Sequence, residues 1–251
     1  MGARRFGWRL ESRLLRGLSS DPSAKDYRWY GRRSARKLRP ARKRLIENLL
    51  PKLRIVLPDS GEVEVQDLFA GPVDKIYMEI GFGAGEHLVR LAEQNPRIGF
   101  IGCEPFVNGV ATLLSKIEAK KINNIRLYND DIRQLIPFLP GAKITKIYIL
   151  FNDPWPKTRH HRRRLTSLEN IDAFARLLVD DGGLQFASDH MEFAAWTLER
   201  LLAHPAFEWT ARIAADWRLQ PADWVATRYE EKALLRGAKP AYFNFRRRKR
   251  E

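Results

Sequence analysis

Several features that stabilise secreted and membrane proteins are missing from this sequence. One cysteine, Cys103, occurs among the 251 residues, so the chain cannot form an internal disulfide and a reducing compartment is expected. Long apolar runs are also missing: stretches such as residues 147–151 are far shorter than the roughly 20 residues of a membrane-spanning helix. These absences argue against a disulfide scaffold and a membrane partner, and we expect a cytoplasmic protein.

Negative charge is the scarcer sign, with 30 Asp and Glu against 45 Lys and Arg and a formal net charge of +15. The positive excess is clustered. Residues 1–54 hold 17 basic and 4 acidic side chains, residues 157–164 hold five basic and no acidic ones, and residues 228–251 hold nine against three. Solubility alone does not require such clustering. The two ends and one loop therefore predict a surface that binds a polyanion such as RNA.

The basic start of the chain has no clean hydrophobic period over residues 1–42. Tyr27, Trp29 and Tyr30 are interleaved there with arginines. Such aromatics can stack on bases, or they can pack on the core and anchor the segment, and the sequence leaves both open. The Arg-rich start resembles a transit peptide in composition, but we treat it as part of the working protein. We divide the chain into a basic N-terminal extension, 1–54, that contacts RNA, and a folded domain, 55–251.

Apolar runs alternate with helical stretches from residue 75 onward. Strands are predicted at 75–79, 99–104, 124–131, 145–153, 184–189, 207–214 and 241–248, and helices near 85–95, 107–121, 168–180 and 228–236. Continuous apolar strands between helices indicate a parallel sheet that is covered on both faces. The fold class is therefore predicted to be α/β, with a doubly wound, mostly parallel, seven-stranded, Rossmann-like sheet.

A glycine-rich turn follows the first predicted strand. Gly81, Gly83 and Gly85 alternate there with other residues, and such a strand-to-helix turn lets a ligand approach the backbone. The turn suits a nicotinamide dinucleotide or S-adenosylmethionine. Glu104, after the second strand, could hold the ribose hydroxyls of either one.

Two acids at this turn favour S-adenosylmethionine. Glu79 and Glu86 flank the glycines, and a pyrophosphate needs the start of the helix free of anions. A carboxylate at ~4–6 Å would repel a diphosphate by on the order of a few kcal/mol, whereas it would attract the ammonium and sulfonium of the methyl donor. The spacing also lacks the third glycine of the dinucleotide fingerprint.

The third and fourth predicted strands also end in acids. Asp131, next to Asp130, could accept from the adenine amine, and Asp153 would face the reacting methyl. Each acid alone is more typical of a helix N-cap than of a ligand. Four carboxylates at four successive strand ends together predict a cofactor site.

Residues 151–164, FNDPWPKTRHHRRR, join a proline-rich turn to a His/Arg run. This segment closely resembles the tRNA (guanine-N7-)-methyltransferase family. The resemblance also covers EIGFGAGEHL (79–88), GCEPFVNG (102–109), ASD (187–189) and TRYEEKALLRG (227–237), within residues 75–246. Asn152 departs from the family, in which many members have proline. The DPWP portion is also similar to the proline turn of exocyclic-amine methyltransferases. The alternative function is therefore methylation of an exocyclic amine of an RNA base.

The resemblance implies a class I S-adenosylmethionine-dependent methyltransferase domain that methylates N7 of a guanosine at position 46 of the tRNA variable loop. Monomer and homodimer both remain open. Carried over by position, Glu79, Glu104, Asp131 and Asp153 line the S-adenosylmethionine site together with the three loop glycines, and Asp153 is the catalytic residue. The RNA substrate would be held by Lys157, Asp189, Thr227, Arg228, Tyr229 and Glu230.

The chemistry fits this implication independently. Guanine N7 carries an in-plane lone pair and loses no proton when it is methylated. The enzyme must align N7, methyl and sulfur, an effect worth roughly 7–11 kcal/mol, and oppose the charge that develops on the purine. Asp153 could do both. Cys103 lies inside a strand as a core residue, which disfavours a cysteine-dependent pyrimidine mechanism.

The remaining motifs have simpler interpretations. No metal is expected at His160 and His161, whose basic neighbours favour phosphate contact. Thr227 with Glu230 is typical of a capping box, which is compatible with substrate contact. Trp217 and Trp224 are interpreted as core or rim aromatics. An oxidoreductase and a catalytically silent RNA-binding protein complete the alternatives, and S-adenosylmethionine binding would exclude both.

Overall fold

A computed structural model describes residues 30–221 and 224–251. The predictions for Tyr27 and Trp29 concern residues outside these ranges. The strands are β1 Lys75–Ile80, β2 Ile98–Cys103, β3 Ile125–Tyr128, β4 Ile144–Leu150, β5 Leu178–Ser188, β6 Phe207–Trp209 and β7 Ala241–Arg247. The helices are α1 Pro40–Asn48, α2 Leu50–Leu53, α3 Glu86–Gln94, α4 Val107–Lys120, α5 Ile132–Leu135, α6 Leu168–Leu177, α7 Met191–Ala203, α8 Ala215–Arg218 and α9 Arg228–Leu235. Two 3-10 turns span Ile136–Phe138 and Thr158–Arg163.

The seven strands form one sheet in the order β3-β2-β1-β4-β5-β7-β6. The first five pair in parallel, whereas β7 runs antiparallel to both β5 and β6. The strand order reverses at β1, whose neighbours are β2 and β4, and ligands of open α/β sheets bind at such a switch point. The predicted mostly parallel, seven-stranded sheet is confirmed.

Both faces of the sheet are buried, as the continuous apolar strands predict. Met78 and Ile147 belong to the core cluster on one face, and Phe100 and Leu113 belong to the cluster on the other. Leu45, Leu50 and Leu53 join the second cluster. Residues 45–53, part of the predicted extension, therefore pack onto the core of the domain, while the division at residue 54 stays a prediction.

The C-terminal half of the sheet differs most from the prediction. The helix predicted over 168–180 ends at Leu177, and β5 begins at Leu178. Gly182 and Gly183 lie within β5 rather than after a helix. A Cβ on Gly182 would lie 2.8 Å from the Val179 carbonyl oxygen and 3.1 Å from that of Thr145, so the close approach of neighbouring backbone requires glycine there.

Other boundaries shift by a few residues. β3 and β4 end at Tyr128 and Leu150, before the acids that were placed on them, and β6 stops at Trp209 instead of continuing to residue 214. Within the described ranges, no helix is long and apolar enough to cross a membrane.

Candidate functional site

The glycine-rich turn lies at the carboxyl ends of β1, β2 and β4. The Gly81 N–H donates to the Cys103 carbonyl at 2.8 Å, which joins the turn to the end of β2. Gly81 has φ 79°, and a Cβ there would lie 2.5 Å from Nδ2 of Asn152. Gly85 has φ 72°, and its Cβ would lie 2.6 Å from the Leu113 side chain. Only glycine satisfies both the conformation and the space.

Glu104 braces this turn from the end of β2. Its two carboxylate oxygens accept hydrogen bonds from the backbone N–H groups of Gly83 at 2.8 Å and Phe106 at 2.9 Å. Burial, with a smaller contribution from the nearby charges of Asp153 and Glu79, raises the pKa of Glu104 to about 7, while the two backbone hydrogen bonds act in the opposite direction. The cofactor site predicted from sequence thus contains a carboxyl that can change its charge near neutral pH.

Glu79 lies on β1 and is buried, with 4% of its surface exposed. His87 Nδ1, in the first turn of α3, lies 2.8 Å from Oε2 of Glu79. The buried His87 ring also makes an edge contact with Tyr148, with 4.8 Å between ring centroids. Sequence reasoning missed His87, and its signal was a polar residue on the apolar face of the helix that follows the glycines.

Glu86 has a partner that the sequence did not indicate. Its carboxylate lies 2.9 Å from Lys116 Nζ, and the same ammonium donates to the Ala84 carbonyl at 2.8 Å. Glu86 is therefore paired within the protein, and its contribution to the choice of the methyl donor stays a prediction.

The neighbouring acids after β3 have separate roles in this structure. Asp131 is buried and caps α5, since it accepts from the backbone N–H of Arg133 at 3.0 Å and also pairs with the Arg133 guanidinium. Asp130 receives two hydrogen bonds from Arg33, at 2.9 and 3.1 Å. The N-cap interpretation of Asp131 is confirmed, and an adenine contact by either acid stays a prediction.

Asp153 follows β4 on a turn with unusual backbone geometry. Phe151 and Trp155, on either side of it, have φ values of 53° and 44°. Asp153 is exposed, yet the protein around its carboxyl removes enough water to raise its pKa. Its charge also contributes to the raised pKa values of Glu104 and Tyr229, so the structure brings these groups together.

The first turn of α9 meets the glycine-rich turn. A Cβ on Gly83 would lie 3.0 Å from the Tyr229 ring. Thr227 and Glu230 form the predicted capping box. Glu230 is fully buried and accepts hydrogen bonds from Gln220 Nε2 at 2.8 Å, Trp224 Nε1 at 2.6 Å and the Tyr242 hydroxyl. Its contacts here are internal, and they hold Tyr229 above the turn.

We call the carboxyl ends of the parallel strands, with the turns that follow them and the start of α9, the rim of the sheet. The other predicted substrate residues belong to segments of this rim. Asp189 follows β5, and its carboxylate lies 3.5 Å from Nη2 of Arg236. Lys157 and Arg228 are exposed. Trp224 lies against Tyr242 at the rim and Trp217 packs on the larger core cluster, which confirms their interpretation as rim and core aromatics.

Part of the predicted polyanion surface is used inside the protein. Arg164 is buried, and the Arg163 guanidinium lies over the rings of Tyr30 and Trp155. Lys157, Arg159 and Arg162 remain exposed. The loop 157–164 therefore offers a phosphate fewer cations than the sequence suggested.

The C-terminal arginines lie at the opposite end of the sheet. Arg246 pairs with Glu208, and Arg247 and Arg250 pair with Asp180. Because Arg246 faces Gly183 in the strand register, this cluster lies near the amino-terminal part of β5, away from the glycine-rich turn. These three arginines therefore pair with acids of the protein itself, and contact between this end of the chain and RNA stays a prediction.

Cys103 is buried in β2, as expected of a core residue, and burial raises the pKa of its thiol. Among the residues the structure describes, no three His, Cys, Asp or Glu side chains are grouped to hold a metal ion.

Comparison with known proteins agrees with this geometry. A family model described as "Putative methyltransferase" matches residues 74–242. The tRNA (guanine-N(7)-)-methyltransferase of Rhodospirillum rubrum is 51% identical over 228 residues, covering 90% of this chain and 89% of the relative. The enzyme of the same name from Rhizobium meliloti is 48% identical over 219 residues, covering 87% and 94%.

Solved structures support the fold. The 16S rRNA methyltransferase KamB matches with a TM-score of 0.55 at 14% identity, covering 76% of this chain and 96% of that one. The family itself rests on the sequence relatives, whose identity and coverage extend across most of this chain. This chain belongs to the tRNA (guanine-N(7)-)-methyltransferase family.

Proposed function

We propose that this protein transfers a methyl group from S-adenosylmethionine to N7 of a guanosine in tRNA, at position 46 of the variable loop. The observation that carries the proposal is 51% identity, over 90% of the chain, to an enzyme named for this reaction. The acids gathered at the rim of the sheet support it from chemistry. The buried thiol of Cys103 suits the reducing cytoplasm, where we place the enzyme.

The residues at the rim suit a cationic methyl donor. The charges of Glu79 and Asp153 both act on Glu104, and a positive charge placed among the three carboxyls would relieve this repulsion. At Gly81 and Gly85 the side chains of Asn152 and Leu113 fill the space that a Cβ would need, so the glycines fix the path of the turn between Glu79 and α3. When bound, S-adenosylmethionine supplies an electrophilic methyl group on a positively charged sulfur.

The reaction asks for alignment and charge stabilisation more than for proton transfer. Guanine N7 attacks through its lone pair, so no general base has to remove a proton. Asp153 stands at the end of β4 beside the glycine-rich turn, where its carboxylate opposes the positive charge that develops on the purine. Its raised pKa indicates a partly desolvated carboxyl, in which such an interaction is stronger than in water.

The RNA would lie across the rim between two segments. Lys157 and Arg159 lie on the loop after β4 and Arg228 begins α9, and all three are exposed cations. Arginine and lysine side chains bind backbone phosphates and supply affinity that is independent of sequence. Tyr229, above Gly83, presents an aromatic ring on which a base can stack.

The test is nucleoside analysis of tRNA methylated by the purified protein. Bulk tRNA incubated with methyl-labelled S-adenosylmethionine should yield labelled 7-methylguanosine after digestion. A transcript with adenosine in place of guanosine at variable-loop position 46 should stay unlabelled. Label found only in N2-methylguanosine or N6-methyladenosine would support the exocyclic-amine alternative, and label at another guanosine would correct the position.

A further inference from the structure

Arg164 is buried although it ends the most basic stretch of the loop. Only 1% of its surface is exposed, and it is among the largest fully buried side chains of residues 30–221 and 224–251. An arginine placed for phosphate contact would keep its guanidinium in solvent. The burial of Arg164 therefore indicates a role other than phosphate contact.

The guanidinium of Arg164 binds the turn that carries Asp153. Its Nε donates to the Pro154 carbonyl at 2.9 Å, and its Nη2 lies 3.5 Å from the Trp155 carbonyl oxygen. These carbonyls belong to the two residues that directly follow Asp153. One side chain thus holds the backbone on the C-terminal side of the proposed catalytic carboxylate.

Helix α7 holds the guanidinium in turn. Nη1 donates to Oε1 of Glu192 at 3.1 Å, and Nη2 donates to the other carboxylate oxygen. The Trp196 and Phe193 rings lie 4.8 and 5.2 Å from the guanidinium carbon. A buried cation with a carboxylate partner and aromatic rings packed against it is fixed in one position.

The turn needs an external brace. Trp155 has φ 44° and Phe151 has φ 53°, a region that side-chain-bearing residues rarely adopt. Pro154 and Pro156 have no N–H and cannot donate hydrogen bonds within the turn. Arg164 supplies donors from outside, and its planar fork reaches carbonyls and a carboxylate at once, which a lysine ammonium cannot do in the same geometry.

We propose that Arg164 is a positioning residue for methyl transfer: by holding the Pro154 and Trp155 carbonyls, it sets where Asp153 and Lys157 stand relative to the methyl donor. The inference rests on the proposed function. Misplacement of a reacting group by about 1 Å can cost roughly a hundredfold in rate. Glu192 and Trp196 contribute to this positioning because they hold the guanidinium of Arg164 in place.

The first test replaces Arg164 by lysine, with Arg97→Lys as a matched control. Arg97 is exposed and pairs with Asp74 at the far end of the sheet. The measurement is the single-turnover rate of 7-methylguanosine formation with saturating tRNA and S-adenosylmethionine, below the melting temperature of each variant. Arg164→Lys should slow this rate by roughly 10- to 100-fold with donor affinity within about twofold of wild type, and Arg97→Lys should not change it.

A second variant covers the case in which Arg164→Lys does not fold. Glu192→Gln weakens the anchor from an exposed position, and Glu199→Gln on the same helix is its control. Glu192→Gln should slow the reaction by about 3- to 10-fold at unchanged donor affinity, since a neutral amide holds the guanidinium less firmly. Glu199→Gln should keep the wild-type rate.

A double variant separates positioning from a general loss of structure. If Arg164 acts by placing Asp153, then Arg164→Lys should add little to the loss of rate already caused by Asp153→Asn. Full additivity of the two effects, or wild-type rates in both Arg164→Lys and Glu192→Gln, would overturn the inference. A wild-type protein that forms no 7-methylguanosine refutes the proposed function instead, so the two failures are distinguishable.

Discussion

At the scale of single residues, the carboxylates at the rim differ in the hydrogen-bond and ion-pair partners that the protein already gives them. Asp131 pairs with Arg133, Glu79 contacts His87, and Glu104 accepts two backbone N–H groups. Asp153 accepts no side-chain hydrogen bond from the part of the chain that the structure describes. It is therefore the acid with most capacity for a new cation or base edge.

Replacing Asp153 by asparagine keeps the size of the side chain and removes its charge. We expect turnover to fall by about 100- to 1000-fold, the usual cost of one electrostatic group that acts on the transition state, with little change in tRNA affinity. Single-turnover methylation and tRNA binding titrations measure the two effects. Asp59→Asn, on an exposed loop, is the control. Wild-type turnover in Asp153→Asn would remove this residue from the mechanism.

Glu104 should make donor binding depend on pH. Its pKa of about 7 is that of the protein without ligand, and a cationic donor with ribose hydroxyls favours the ionised carboxylate. Binding then releases a proton, so affinity rises with pH through this range and levels off above it. Between about pH 6 and pH 8 we expect affinity for S-adenosylmethionine to increase roughly 3- to 10-fold, measured by calorimetry.

The matched variant for this pH effect is Glu104→Gln. It has no proton to release, so its weaker binding should be nearly flat over the same pH range. An equally steep profile in Glu104→Gln would assign the titration to another group at the rim.

Arg164, Arg247 and Arg250 show what the sequence could not predict about individual side chains. Each stands in a run of basic residues, which is typical of an exposed polyanion surface. Their burial or pairing depends on Glu192 for Arg164 and on Asp180 for the other two. Those partners lie 28 or more positions away along the chain, and local composition carries no information about such pairing.

At the scale of elements, the strands that line the site were predictable and the second half of the sheet was less so. β1 and β2 are continuous apolar runs that end in an acid, so their position and the location of Glu79 and Glu104 followed from sequence. The Gly182-Gly183 pair instead suggested a helix end. Its glycines serve a close backbone approach, which depends on Thr145 of the neighbouring strand.

The C-terminal end of α6 depends on an arginine from beyond β7. Arg250 Nη2 donates to the carbonyls of Ala175, Arg176 and Leu178 at 3.2, 3.0 and 2.7 Å. The last carbonyls of a helix have no partner within the helix, so the guanidinium replaces a cap. A residue that composition assigns to RNA binding thus stabilises a helix.

Replacing Arg250 by alanine should lower the free energy of unfolding by about 1–3 kcal/mol, because carbonyls at the end of α6 no longer have a charged donor. Urea denaturation measures this decrease. The salt dependence of tRNA binding should stay that of wild type, since Arg250 lies away from the rim. Lys249→Ala is the neighbouring control. A flatter salt dependence in Arg250→Ala would return this residue to the RNA surface.

At the scale of the whole molecule, positive charge is distributed between two ends of the sheet. The rim carries Lys157, Arg159 and Arg228, whereas Arg246 and Arg247 pair with acids at the other end. A net charge of +15 therefore overstates the charge that faces a substrate. Near the start of the described ranges, Arg33 already pairs with Asp130 beside the rim.

Removal of residues 1–29 tests the predicted role of the basic extension. This segment contains seven lysines and arginines, and the cut spares Arg33 and α1, which contact the domain. We expect weaker tRNA binding and a less steep dependence of log affinity on log salt, by about 0.9 for each phosphate that the segment neutralises in the full chain. Fluorescence anisotropy over a series of salt concentrations measures the slope. The same slope in both proteins would show that the segment does not touch the RNA.

The contact between Tyr229 and Gly83 has a kinetic consequence. Helix α9 begins next to Tyr229 and borders the glycine-rich turn at which the donor would bind. An RNA bound on this helix would therefore cover the access to the donor site. If RNA binds on α9 as we propose, we expect S-adenosylmethionine to bind before the RNA and the demethylated donor to leave after it. Because both substrates would use the same side of the sheet, we expect their binding to be ordered in each catalytic cycle.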